Sequence, residues 1–514
     1  MNKVRKNRLL FAGLTVCVLG TAFFFTALDG KEDTVRYHQH LEQPDETELG
    51  DKPESEGLVT HLPIIEIDTT KDGAYHKIPG KAVLDQQQNS VIGVETGENC
   101  ETQIQARIRT IEAEGEWHDS EDEADQESDI LIHIRGNSSR AFDKSSYRIK
   151  LMKEGDPSQK NELPLLGMEA SADWVLHGPF LDKTLIRNYM WMNISAEIMG
   201  YAPNVRFCEM ILDGEYMGVY VLMETIEVSE TRVNLTPYED GDPVMSYMIH
   251  IEPKAELNKS VETFSFYGKK LEPDRQIEIA YPGLQYLNED VKAYIQADFS
   301  EIEKAIYSDE AGTDPDFYVR YLDEQSFVDY YILQEFVGNN DVFQASTYFY
   351  KDVRGKLHIG PVWDYNNVLD NYTTVMPTES FIVSQNGFYS QLMKSERFVD
   401  RVISRYRELR RGILSESYLR EYIRETERWL GTAVDRNYEV WGYTWDWKKI
   451  PMYERRRADI GSGETFADVN PASYGEATEH MINYMVRRGE WLDAHMESLR
   501  QYCQTSKNAG TVLY

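Results

Sequence analysis

The sequence is short of cysteine and of basic residues, and each shortage excludes a class of protein. Four cysteines occur in 514 residues, and Cys100, Cys208 and Cys503 lack the spacing of zinc ligands and are too few for a disulfide framework. The 54 Lys and Arg residues stand against 87 Asp and Glu, which gives a net charge of −33. A nucleic-acid-binding coat needs a basic surface, so nucleic acid is excluded as a partner.

Much of the acidity lies in two polar segments. Residues 29–57 carry a net charge of −7 and residues 112–129 carry −10. Both segments are poor in β-branched residues, which predicts an acidic stalk over 29–59 and a solvated loop over 112–129, neither of which packs. A calcium-binding loop is the alternative for 112–129, although this segment lacks the ligand spacing of an EF-hand.

An uncharged apolar segment, residues 9–28, is long enough to cross the roughly 30 Å hydrocarbon core as one helix. Four basic residues precede it: Lys3, Arg5, Lys6 and Arg8. The positive-inside rule therefore predicts a single-pass anchor in the cell membrane, with residues 1–8 cytoplasmic and the main domain extracytoplasmic. A cleaved signal peptide is the alternative, but cleavage after Ala27 would place Phe25 where a small residue is needed.

The remaining chain reads as a mixed α+β domain. Alternating apolar residues predict strands over 62–68, 103–111, 130–135, 146–151, 207–212 and 216–223, and later over 245–251, 276–280, 347–351 and 356–359. Helical spacing predicts helices over 185–199, 288–307, 316–337, 396–430 and 479–502. The strand-rich part, 60–230, precedes a mostly helical part, 231–505.

A polar loop between two predicted strands has the composition of a phosphate-binding turn. Glycine lets the backbone approach a phosphate closely, and the neighbouring amides and hydroxyls can donate to its oxygens. Arg148 and Lys150 share one face of the next strand because side chains alternate, so both cations can point at phosphate oxygens. An ordinary turn is the alternative for this loop, which consists of Arg135, Gly136, Asn137, Ser138 and Ser139.

Two aspartates follow in an order that suits phosphoryl transfer. Asp341 opens a polar loop after the helix predicted over 316–337, and Asp364 follows the predicted hairpin 347–359. Phosphoryl transfer needs one carboxylate to orient the nucleophile and others to hold Mg²⁺ on the phosphates. Asp341 is therefore the candidate catalytic base and Asp364 the candidate metal ligand. The alternative is that residues 339–341 only cap helix and turn groups.

Five segments in this order resemble the CotH family, named for a spore-coat protein kinase: residues 134–151, 173–190, 211–228, 338–341 and 356–366. The resemblance extends over about residues 60–500. It implies an atypical protein-kinase-like fold with a β-rich N-lobe (60–230) and a mostly helical C-lobe (231–505). It also implies that ATP and Mg²⁺ (or Mn²⁺) bind, and that a hydroxyl of a coat or envelope protein is the acceptor.

The resemblance also implies roles for individual residues. Asp341 matches the catalytic aspartate and Asp364 the magnesium-binding aspartate. The loop 135–139, Arg148, Lys150, Arg187 and Glu224 match the nucleotide-binding part.

Two positions depart from the pattern of related proteins. Ser346 stands where a kinase catalytic loop has an Asn metal ligand, and Asn366 stands where many relatives have an acid. Neutral ligands bind a cation less strongly than carboxylates do, so this site is predicted to bind metal weakly. The alternative to a kinase is accordingly a CotH-like surface protein that binds or assembles without transferring phosphate. ATP is scarce outside the membrane, which favours that alternative.

Overall fold

A computed structural model describes residues 36–71, 73–86, 91–112, 115–253, 255–271, 275–308, 314, 316–371, 376–451 and 470–504. The predicted membrane segment 9–28 lies outside these residues. Among the residues that are described, none of the helices combines the length and apolarity needed to cross a bilayer. The fold is α+β, as predicted.

Alternation of apolar and polar residues produces the strands of the N-terminal half. In Gln126–Ile134, for example, every second side chain from Ser128 onward is buried. The strands are β1 (Val59–Thr60), β2 (Ile64–Asp68), β3 (Thr70–Lys71), β4 (Ala74–Tyr75), β5 (Ala82–Leu84), β6 (Val91–Val94), β7 (Ile104–Ile111), β8 (His118–Asp119), β9 (Gln126–Ile134), β10 (Tyr147–Lys153), β11 (Asp156–Lys160), β12 (Asp173–His177), β13 (Val205–Leu212) and β14 (Glu215–Glu224).

Eight of these strands form one sheet, in the order β11-β10-β12-β14-β13-β2-β7-β9. The sheet closes on itself because β9 also pairs with β10, from Ile134 opposite Tyr147 to Asp129 opposite Met152. Its neighbours are antiparallel except β13 and β2, which are parallel. The predicted hairpin β13–β14 is confirmed, since Asp213 and Gly214 at its turn have φ of 52° and 80°, as a two-residue hairpin turn requires.

The second half of the chain contributes a smaller sheet and most of the helices. Strands β15 (Tyr247–Glu252), β16 (Ser260–Val261), β17 (Gln276–Tyr281), β18 (Thr347–Lys351) and β19 (Leu357–Ile359) form an antiparallel sheet in the order β16-β17-β15-β18-β19. The α-helices of the described residues are α1 (Gln39–Glu42), α2 (Arg187–Met199), α3 (Phe264–Tyr267), α4 (Glu289–Ile306), α5 (Glu324–Val337), α6 (Tyr389–Leu392), α7 (Glu396–Leu409), α8 (Glu416–Leu430), α9 (Thr432–Trp441) and α10 (Tyr474–His495).

The hydrophobic core has two main apolar clusters, one in the closed sheet and one around the second sheet and the helices. One apolar cluster, including Ile132 and Trp174, fills the closed sheet. A larger cluster joins α2, the second sheet and the helices around residues such as Trp191 and Phe349. Helix α2 lies in sequence between β12 and β13 of the closed sheet but packs into the larger cluster, so it connects the two regions.

The helix predicted over 316–337 is two helices. A short 3₁₀-helix, Phe317–Arg320, precedes α5. Between them Asp323 has an extended backbone and its carboxylate accepts a hydrogen bond from the Ser326 amide at 2.9 Å. An N-cap of this kind starts a new helix, and the apolar spacing alone did not reveal it.

The acidic segment 112–129 is not the unpacked loop that its composition predicts. It contains β8 and the first residues of β9. His118 is buried, and the Arg109 guanidinium donates to the Ser120 carbonyl at 3.2 Å and to the Asp122 carbonyl at 2.5 Å. Basic residues of the neighbouring strand thus organise the acidic segment.

The predicted stalk also packs, over a part that we call the N-terminal segment (His38–Glu46). The Gln39 side chain is buried and bonds both backbone groups of Phe207, accepting from its amide at 2.6 Å and donating to its carbonyl at 3.2 Å. Phe207 lies on β13 beyond the end of its pairing with β2, so Gln39 satisfies backbone groups that no strand covers.

Two histidines of the N-terminal segment bond to tyrosines on different helices. A ring nitrogen of His40 lies 3.0 Å from the Tyr189 hydroxyl on α2, and one of His38 lies 2.9 Å from the Tyr422 hydroxyl on α8. The segment therefore ties the closed sheet, α2 and α8 together.

We expect His40 to make the domain less stable at acidic pH. Burial, and secondarily His38, lower the pKa of His40 from 6.5 to about 3. The folded protein therefore keeps His40 neutral while the unfolded chain takes up a proton, so stability is lost as the pH falls from about 6.5 towards 3. The loss attributable to this one group is about 2 kcal/mol at pH 5.

Urea denaturation of parent and His40→Asn proteins at pH 7 and pH 5 measures this effect. The variant should lose about 2 kcal/mol less than the parent over that interval. His495 is exposed, so His495→Asn serves as the control and should keep the parental pH dependence. Equal pH dependence for all three proteins would contradict the prediction.

Candidate active site

Asp341 lies in the loop between α5 and β18 and is held by its own neighbours. Helix α5 ends at Gly338, whose φ of 69° lets the chain turn out of the helix. The Asn339 side chain then accepts from the Asp341 amide at 3.0 Å and donates to Gln334 at 2.7 Å. These bonds fix the backbone that carries the Asp341 carboxylate.

Asp364 lies in the loop after β19 and is held by α2. Its backbone is left-handed, with φ 60° and ψ 63°. In the first turn of α2, Asn188 accepts from the Tyr365 amide at 3.0 Å and donates to Asn366 at 2.5 Å. Asn366 in turn donates to the Asp364 carboxylate. Helix α2 thus positions Asp364 through two asparagines.

The charge of Asp364 acts on Asp341. Burial and the nearby Asp364 charge raise the pKa of Asp341 to about 6, against an opposing effect of Arg275. Asp364 is exposed on one side, yet desolvation by the surrounding protein raises its pKa, and Arg135 opposes this. Glu252, at the end of β15, raises the pKa of both aspartates. Three carboxylates and two arginines therefore share one site.

Arg135 lies at the start of the predicted phosphate loop, directly after β9. Its amide donates to the Ser146 carbonyl at 2.8 Å, and its guanidinium lies over the Trp363 ring, 5.7 Å from the centroid. Because Trp363 precedes Asp364, this contact brings the predicted phosphate loop beside the predicted metal loop.

The rest of the predicted phosphate loop forms a tight turn. Gly136 has φ of 114°, and a Cβ there would lie 2.0 Å from the Ser139 hydroxyl, so only glycine fits. Asn137 precedes a 3₁₀ turn, Ser138–Ala141, and Arg140 donates to the Gly136 carbonyl at 2.5 Å. These bonds within the turn make it rigid. A phosphate-binding loop needs such rigidity.

Three other residues predicted at the nucleotide lie on strands of the closed sheet, and two of them, Arg148 and Glu224, have side-chain partners there. Arg148 on β10 pairs with Asp173 at 3.0 Å, and Lys150, two residues on, stands opposite Asp173 in the β10–β12 register. The buried Glu224 accepts from the Asn204 amide at 2.8 Å. The contacts hold Arg148 and Glu224 in the closed sheet, and the nucleotide role of all three residues stays a prediction.

Arg187 has a structural role that the sequence did not indicate. Its guanidinium pairs with Asp182 at 2.5 Å and donates to the Val368 carbonyl at 3.1 Å. The resemblance predicts that Arg187 binds nucleotide, but in the structure this buried side chain braces the loop that follows Asp364.

Glu252 and Arg275 belong to the site but were missed in the sequence. Glu252 is the last residue of β15 and Arg275 directly precedes β17, and the sequence pattern of these two strands carries no motif. Glu252 accepts from the Ser346 hydroxyl at 3.5 Å and lies 3.2 Å from a His250 ring nitrogen. Ser346, a predicted metal ligand, therefore contacts a carboxylate of this site. The one sequence signal for this part of the site was the position of Glu252 at the end of a strand of alternating apolar residues.

Comparison with known protein families shows to which family the chain belongs. A family model described as CotH kinase protein matches residues 132–492. The chain belongs to the CotH kinase family. The match includes the predicted phosphate loop and both aspartates, so the predicted resemblance is confirmed. No curated protein matches the chain.

In this CotH kinase family member, the protein ligands for a metal are few. In the part of the chain that the structure describes, no group of three or more His, Cys, Asp or Glu residues is arranged to hold a metal ion. Mg²⁺ in nucleotide sites commonly takes one or two carboxylates and completes its shell with phosphate oxygens and water. Two repelling carboxylates with raised pKa values fit such an ion, because the ion would relieve their repulsion.

Proposed function

We propose that this CotH kinase family protein is an atypical protein kinase that transfers phosphate from ATP to a hydroxyl of an envelope or coat protein. The observation that carries the proposal is the convergence of Asp341, Asp364 and the loop at Arg135 within the family match. In this proposal the closed sheet belongs to an N-lobe (60–230) and the second sheet and helices to a C-lobe (231–505).

Asp341 serves as the base in the proposed reaction. It accepts the proton of the acceptor hydroxyl as that oxygen bonds to the γ-phosphorus and the bond to ADP breaks. A pKa of about 6 leaves Asp341 ionised at pH 7 but more basic than an ordinary aspartate, which suits a general base. ATP supplies the phosphoryl group, and Mg²⁺ or Mn²⁺ supplies positive charge on the phosphates when bound.

The remaining residues position the reactants. Asp364 would ligate the metal, with Asn366 and Ser346 as weaker candidates. Asn366 directs its amide donor at Asp364 in the structure, so it orients this carboxylate and offers the metal no oxygen in that orientation. Arg135 and the turn 136–139 would hold the phosphates. We further propose that residues 9–28 anchor the protein in the cell membrane, with the kinase domain outside.

The geometry at Asn366 also favours a second function, nucleotide or ligand binding without transfer. An amide replaces a carboxylate there and donates to the remaining metal ligand. A protein with this function would bind ATP and be stabilised by it but would transfer no phosphate.

The test is phosphate transfer by the full chain purified in detergent. We expect incorporation of label from γ-labelled ATP, with Mg²⁺ or Mn²⁺, into the protein itself or a generic protein acceptor. Asp364→Asn should abolish this incorporation, and exchange of the exposed Asp240 for Asn should not. Absence of transfer together with an ATP-dependent rise in Tm would establish the binding function instead. Absence of both would overturn both proposals.

A further inference from the structure

Arg275 is anchored to the loop that carries Asp341. It lies directly before β17, and its Nε donates to the Gln344 side chain at 3.3 Å. The Gln344 amide donates to the Asp341 carbonyl at 2.7 Å. Arg275 therefore reaches the catalytic loop from the second sheet, through a residue that the loop itself fixes.

The guanidinium of Arg275 has N–H donors that bond to no other group of the described residues. Other arginines of this domain pair with carboxylates, as the buried Arg187 does at 2.5 Å and the half-buried Arg436 does at 2.7 Å. For Arg275, no carboxylate oxygen of the described residues lies within 4.0 Å. Only its Nε has a partner among them, so its terminal nitrogens are available as donors.

Arg135 matches Arg275 on the other side of the aspartate pair. It too has no carboxylate within 4.0 Å among the residues described. It acts electrostatically on Asp364, as Arg275 acts on Asp341. Two guanidinium groups, neither of them paired with a carboxylate of the described residues, thus act electrostatically on two aspartates. Such groups match the geometry of phosphate oxygens, to which they donate paired hydrogen bonds.

We propose that Arg275 is a second phosphate-binding cation of this site and contacts the terminal phosphate of ATP on the Asp341 side. The inference deepens the proposed function and rests on it. The terminal phosphate must lie between the base and the metal-binding aspartate for transfer to occur. Arg275 is the cation held on the base side of that position, and Arg135 the cation on the metal side.

A structural role for Arg275, linking β17 to the catalytic loop, makes a different prediction. A terminal-phosphate contact distinguishes ATP from ADP, whereas a structural link affects both nucleotides equally. The experiment is calorimetric binding of ATP and of ADP, each with Mg²⁺, to the full chain. Arg275→Gln should weaken ATP binding about tenfold or more and leave ADP binding within about twofold.

Two further variants complete the test, one conservative substitution of Arg275 and one control at an exposed arginine. Arg275→Lys keeps the charge but loses the paired geometry, so it should fold and weaken ATP binding by a smaller factor of about three. Arg354, an exposed residue of the β18–β19 turn, provides the control Arg354→Gln, which should bind both nucleotides as the parent does.

The outcomes separate this inference from the proposed function. If the parent binds both nucleotides and Arg275→Gln leaves the ratio of ATP to ADP affinity unchanged, the role of Arg275 is refuted and the proposed function stands. If the parent binds neither nucleotide, the proposed function fails and the role of Arg275 fails with it.

Discussion

Asp341→Asn should lower phosphate transfer by about a thousandfold or more and should also raise the stability of the protein at pH 7. The loss of activity follows because an amide accepts no proton from the acceptor hydroxyl. The gain in stability follows because the raised pKa of Asp341, about 6 instead of 3.8, means that folding disfavours its ionised form. Removing this charge should stabilise the fold by about 2–3 kcal/mol.

The gain should depend on pH in a defined direction. A carboxylate whose pKa is raised on folding destabilises the fold above its unfolded pKa, and the effect is complete above its folded pKa. The stability difference between Asp341→Asn and the parent should therefore be largest at pH 7 and vanish below about pH 4. Asp240→Asn, at an exposed position, should change neither activity nor stability. Transfer within tenfold of the parent would show that Asp341 is not the base.

Arg488→Met should be the most destabilising single substitution considered for this domain. Arg488 is fully buried on α10 and pairs with Glu335 on α5. The Glu335 carboxylate also accepts from the amides of Ile382 and Val383, at 2.7 and 2.9 Å. Without Arg488 this carboxylate stays buried with no cation beside it. A loss of about 3–5 kcal/mol in the free energy of unfolding is expected.

Denaturation in urea measures this loss, and the neighbouring residue provides the matched control. Arg487 is exposed on the same helix, so Arg487→Met should change the free energy of unfolding by less than about 0.5 kcal/mol. Adding Glu335→Gln to Arg488→Met should recover part of the stability, because the uncompensated charge is then gone. Equal effects of Arg487→Met and Arg488→Met would refute the ion-pair explanation.

Local patterns predicted most of the regular elements. Six of the eight strands of the closed sheet, the hairpin at Asp213-Gly214 and the helix ending at Gly200 are where alternation, turn residues and caps indicated, whereas β11 and β12 were not predicted. Composition did not predict that the two acidic segments pack. The fraction of acidic residues carries no information about distant partners such as Arg109 or Phe207. The break at Asp323 was missed because apolar spacing continues across it.

In the candidate site, too, local motifs predicted some residues, whereas residues placed by distant contacts were missed. Asp341 and Asp364 follow recognisable local motifs, and the family match includes both. Arg275 and Glu252 have no motif, because their place in the site depends on how the second sheet packs against the catalytic loop. For Arg187 the motif was present, but the pairing with Asp182 that uses its guanidinium emerges only in three dimensions.

The N-terminal segment imposes an order on the folding of this protein. His38 bonds Tyr422, 384 positions later in the chain, and Glu46 bonds Thr432, 386 positions later. The N-terminal segment is synthesised well before these partners and therefore finds them only after α8 and the start of α9 have been made. The hairpins of the closed sheet need no such delay, because their strands are close in sequence. A chain that stops before residue 422 would lack Tyr422 and Thr432, to which the N-terminal segment bonds.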